Sequence, residues 1–173
     1  EAGDAAGAAA ELAALLPIRE RVLGPEHPDT LTTRNNLASW RGKAGDAAAA
    51  AAEFAALLPI RERVLGAEHP DTLRTRGNLA RWRGAAGDAA AAELAALLPI
   101  LKGVLGAEHP DTLTTRNNLA SWRGEAGDAA GAAAAFAELL PLRERILGPE
   151  HPDTLTTRNN LASWREQAGD TEG

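Results

Sequence analysis

The dipeptide Gly-Asp recurs at Gly3-Asp4, Gly45-Asp46, Gly87-Asp88, Gly127-Asp128 and Gly169-Asp170, at spacings of 42, 42, 40 and 42 residues. The block from Leu23 to Arg41, LGPEHPDTLTTRNNLASWR, returns unchanged from Leu147 to Arg165. A period of this length marks one supersecondary unit that buries its apolar face only against copies of itself. The short spacing comes from the alanine run after Asp88, which has two residues fewer. The units are 3–44, 45–86, 87–126 and 127–168, with 169–173 as a tail, and together they read as one repeat domain over 1–173.

Each unit divides into two helices. Ala and Leu dominate the apolar residues, with two Phe, four Trp and no Tyr, Met or Cys. That is a helix-forming composition with little that favours strands. In the second unit an alanine-rich helix is expected from about Asp46, as N-cap, to Leu65, with Gly66 as its stop. A second helix is expected from Pro70 to about Ala86, because proline suits the first helical position and Asp71 the positive end of the dipole. The connections Gly66-Ala67-Glu68-His69 and Gly87-Asp88 are too short for anything but antiparallel neighbours. The expectation is an all-α stack of eight helices. The alanine-rich helix carries an internal proline (Pro17, Pro59, Pro99, Pro141), expected to bend it.

The net charge of −6 is spread without basic tracts or aromatic platforms, which argues against nucleic acid. No apolar run is long enough to span a bilayer, so no membrane partner is expected. The absence of cysteine excludes thiol chemistry and fits a cytoplasmic setting. His27, His69, His109 and His151 each precede a proline at a helix start, with no second ligand at helical spacing. Neighbouring copies should lie roughly 20 Å apart, so they read as capping residues and no metal site is expected. A quadruplicated His-Pro-Asp lacks the unique constellation that catalysis needs, and Gly-Asp lacks the lysine and glycines of a phosphate loop. Neither an enzyme nor a cofactor is expected.

The run Asn35-Asn36-Leu37-Ala38, Gly45-Asp46, Ala50 and Phe54 resembles the tetratricopeptide consensus. The recurring L-G-x-E-H-P-D-T-L is similar to its longer variant in kinesin light chains and bacterial signalling proteins. The resemblance covers essentially the whole chain. It implies a right-handed α-solenoid and a protein-binding scaffold, in which the Pro-Asp helix is helix A, lining a concave groove, and the alanine-rich helix is helix B. The unit is longer than the family's ~34 residues, and Arg34 and Arg41 stand where the family has aromatics. Their stems should be buried and their guanidiniums paired with helix-B glutamates such as Glu53 or Glu62. Trp40 and its equivalents fall on the apolar stripe with Leu37, so they read as core.

The resemblance also implies that an asparagine at the place of Asn36 hydrogen-bonds the backbone of an extended peptide, a role its paired donor and acceptor suit. Carried over, the candidate peptide-binding residues are Asn35, Asn36, Ser39 and Lys43; Arg74, Asn78 and Arg81; Asn117, Asn118 and Ser121; and Asn159 and Asn160. Arg74, Gly77 and Arg81 replace Thr, Asn and Ser in the second repeat, so an acidic segment is the favoured occupant there. A second reading is structural: the array opens on helix B and closes on helix A, so two copies could associate head to tail.

Overall fold

The structure is a computed structural model that describes residues 2–86 and 91–169, with side chains from residue 4. Eight helices alternate in two kinds. The alanine-rich helices are α1 (Ala2–Leu23), α3 (Ala47–Leu65), α5 (Ala91–Val104) and α7 (Ala129–Leu147). The Pro-Asp helices are α2 (Pro28–Lys43), α4 (Pro70–Ala85), α6 (Pro110–Glu125) and α8 (Pro152–Gln167). The Gly87-Asp88 turn and the tail beyond Gly169 lie outside the described residues.

The helix ends follow from the repeated signals. The backbone N–H of Asp29 donates to His27 Nδ1 at 3.2 Å, and the same N-cap bond recurs at His69, His109 and His151. Asp46 caps α3 by accepting from Ala49 N–H, and Asp128 caps α7 by accepting from Gly131 N–H. Helix α3 stops at Gly66 with φ 99°, a conformation that glycine adopts without a Cβ penalty. Each alanine-rich helix runs through its proline, which in all four copies is exposed, where water can reach the carbonyl left without a partner. Helix α5 ends one position short of its counterparts, one residue after Gly103, which stands where α3 has Arg63.

The chain falls into two compact units, residues 1–90 and 91–173. Within the first, Ala38, Ala50, Phe54, Leu79 and Trp82 form one buried cluster. Within the second, Leu113, Ala120, Ala133, Phe136, Leu139 and Leu161 form another, with Trp164 packed against it. Tryptophan is therefore a core residue at Trp82, 7% exposed, while Trp40, Trp122 and Trp164 are half-buried. Each unit also holds a nearly inaccessible arginine. Arg61, 1% exposed, donates at 2.8 Å to Asp71 O and to Thr75 Oγ1. Arg143 does the same to Asp153 O and Thr157 Oγ1. In the third repeat Leu101 fills this place, also 1% exposed.

The expectation for the helix-A arginines is met at Arg41, which pairs with Glu53. Arg34 is half-buried and makes no ion pair among the described residues. Its counterparts do: Arg76 takes Glu62 at 2.7 Å, and Arg158 takes Glu144 at 2.8 Å.

Candidate peptide-binding face

Helix A carries a narrow polar stripe, because positions four, three and four apart return to the same azimuth. In α2 the stripe is Thr32, Asn36, Ser39 and Lys43; in α4 it is Arg74, Asn78, Arg81 and Ala85. Among the described residues α2 touches α4 and α6 touches α8, whereas α1 does not touch α3, nor α5 touch α7. Within each unit the Pro-Asp helices thus lie on the inner side of the stack.

The predicted residues divide between this face and the interior. Asn36, Lys43 and Arg81 are exposed, and Ser39, Arg74, Asn78, Asn118, Ser121 and Asn160 are half-buried. Asn35 is the departure: it is 5% exposed and turned inward, its Nδ2 donating to Asn36 Oδ1 at 3.5 Å. One residue along a helix is a rotation of ~100°, enough to take Asn35 off the stripe that Asn36 shares. Asn117 accepts from Arg143 Nη1 at 3.3 Å across neighbouring repeats, a packing role, and Asn159 is exposed.

The face of the first unit has a feature that pattern reading missed. Lys43 Nζ lies 4.2 Å from the centre of the Trp40 ring, and the Arg81 guanidinium 4.7 Å from that of Trp82. Each cation is held on an aromatic face, and neither has a carboxylate partner among the described residues. Arg74, by contrast, is paired with Asp71 at 2.5 Å. The Trp82 ring lies against Gly42, next to Lys43 in sequence, so the two supported cations sit on adjoining elements. The sequence signal was available in the i, i+3 pair Trp40–Lys43. The stripes of the second unit, by comparison, carry Glu125 and no cation.

A cleft of about 640 Å³ opens elsewhere, between α5, α6 and α7, lined by Leu98, Leu119 and Trp122 with Lys102 and Glu138 among its polar walls. It contains none of the candidate asparagines. Among the described residues no group of His, Asp or Glu is placed to hold a metal ion, and no helix is long and apolar enough to cross a membrane.

Repeated helical hairpins with a polar inner stripe define a repeat-scaffold class of protein, and the comparisons agree. Two family models, both described as tetratricopeptide repeat, match residues 1–63 and 35–97, and 112–153. No curated protein matches the sequence. Similar solved structures include a kinesin-light-chain-type protein of Podosopora anserina with nearly identical TPR-like repeats, 26% identical in two crystal structures with TM-scores of 0.73 and 0.71. Each aligns over 98% of this chain and 81% of that one. BtubC (BKLC) from P. vanneervenii has the same fold at 22% identity, with a TM-score of 0.75 over 97% of this chain and 68% of that one. The chain belongs to the tetratricopeptide repeat family. Its structural neighbours are kinesin-light-chain-like, and repeats of this kind generally mediate protein–protein interaction.

Proposed function

We propose that the inner face of the first unit binds an extended acidic segment of another protein. Asn36 and Asn78 pair with its main chain, and Lys43 and Arg81 receive its carboxylates. The observation that carries this reading is the pair of exposed cations seated on Trp40 and Trp82 without counter-ions. An arginine or lysine without a carboxylate partner and already ordered by a ring loses little side-chain freedom when an anion arrives.

Binding of an extended acidic peptide should change the fluorescence of Trp40 and Trp82, and should weaken as salt rises. Changing Lys43 and Arg81 together to Glu should abolish the salt-sensitive part. Changing Asn36 and Asn78 to Ala should weaken acidic and neutral peptides alike, by about tenfold for one to two lost hydrogen bonds of ~1 kcal/mol each. Equal affinity for acidic and basic peptides would sink the proposal.

A further inference from the structure

Gly42 and Gly124 each receive the tryptophan of the following Pro-Asp helix; the same place in the sequence holds Gly84 in the second repeat and Glu166 in the fourth. At both contacts the fit is tight. A β-carbon on Gly42 would come 2.6 Å from Trp82 Cη2, and one on Gly124 would come 2.7 Å from Trp164 Cη2. Real β-carbons essentially never approach a neighbour more closely than 3.0 Å. Here the neighbour is a rigid indole held between packed helices, which cannot swing aside as the end of a flexible chain would. The position is a socket, and only glycine leaves it open.

We infer that Glu166 closes this socket, so that no further repeat with a tryptophan at the matching place, including that of a second copy of this chain, stacks on α8. The inference does not depend on what the inner face binds. Without the block, α8 would invite such stacking. Leu155 is 43% exposed, whereas its counterparts Leu31, Leu73 and Leu113 are 0%, 0% and 2% exposed. On α1, Ile18 and Val22 are 51% and 67% exposed, and Trp40 is half-buried, ready to act as the knob. Two copies meeting α8 to α1 would bury these faces against each other in a contact that repeats without closing. Side-chain volume at one position prevents it.

Light scattering across a concentration series tests the inference on the wild-type chain and three variants, with circular dichroism to show that each is folded. The wild type should keep the 18.0 kDa mass of one chain at every concentration. Glu166→Gly should gain mass steadily with concentration. Glu166→Ala, which removes the charge but keeps the β-carbon, should behave as the wild type. Adding Trp40→Ala to Glu166→Gly should return it to single-chain mass. The inference is overturned if wild type and Glu166→Gly show the same mass throughout, or if Glu166→Ala associates as readily as Glu166→Gly, since charge alone would then be the block.

Discussion

Glycine shows at the scale of single residues how position decides sign. In the helix interior Gly→Ala should stabilise by ~1 kcal/mol through propensity alone. At Gly103 nothing lies within 4 Å of the added β-carbon, so Gly103→Ala should show that gain as a higher urea midpoint. At Gly42 the same change meets the Trp82 ring, and overpacking of about 1–3 kcal/mol exceeds the propensity gain, so Gly42→Ala should lower the midpoint. Arg61 gives a second contrast. Burial pulls its pKa down while Asp71 pulls it back up, yet guanidinium stays charged. Replacing a buried cation by an apolar residue of similar bulk is often neutral or better, and the third repeat already has Leu101 there. Arg61→Leu should therefore change stability by less than ~1 kcal/mol, while Arg61→Ala, which leaves a cavity, should cost about 2–4 kcal/mol. Chemical denaturation separates the two.

The elements were largely legible from sequence because their signals are local. Asp46, Gly66, Pro70 and the four histidines sit where helices begin and end, and a capping bond needs only the residues beside it. What was not legible depends on partners far along the chain. Nothing in the sequence around Arg61 and Arg143 marks them as interior, and only the next helix's carbonyl and threonine make their burial possible. The exchange of arginine for Leu101 was the one hint that the slot is interior. Asn35 was misplaced on the open face for the same reason: a helical wheel places azimuths but not the neighbouring repeat that covers one of them. The Trp40–Lys43 spacing carries the signal of the supported cation, but a tryptophan on the apolar stripe reads as core. At this scale the N-caps and linkers also set an acid limit. Hydrogen bonds from Arg63 and Arg145 hold the carboxyls of Glu26 and Glu108 below their usual range, and Gly131 N–H with Arg123 does so for Asp128. A depressed carboxylate contributes stability that is complete above its unfolded pKa, here 4.5 for the glutamates, and is lost as pH falls through the lower folded value. Urea midpoints should thus fall as pH drops below about 5, and Glu26→Gln with Glu108→Gln should flatten part of that fall.

For the molecule as a whole, repetition is what makes a stable scaffold from units that could not fold alone, and departures from repetition are where function is sought. Arg74 and Arg81 break the pattern on the inner face of the first unit, and Glu166 breaks it on α8; the rest of each helix A is nearly a copy. The most direct measurement of the central claim is to follow backbone amide shifts by NMR while an acidic peptide is added to the full chain. The account predicts saturable shifts concentrated on α2 and α4, around Asn36, Lys43, Asn78 and Arg81, together with the Trp40 and Trp82 indole N–H signals. Shifts gathered instead around Leu98, Leu119 and Trp122 in the cleft of the second unit, or no saturable shifts at all, would contradict it.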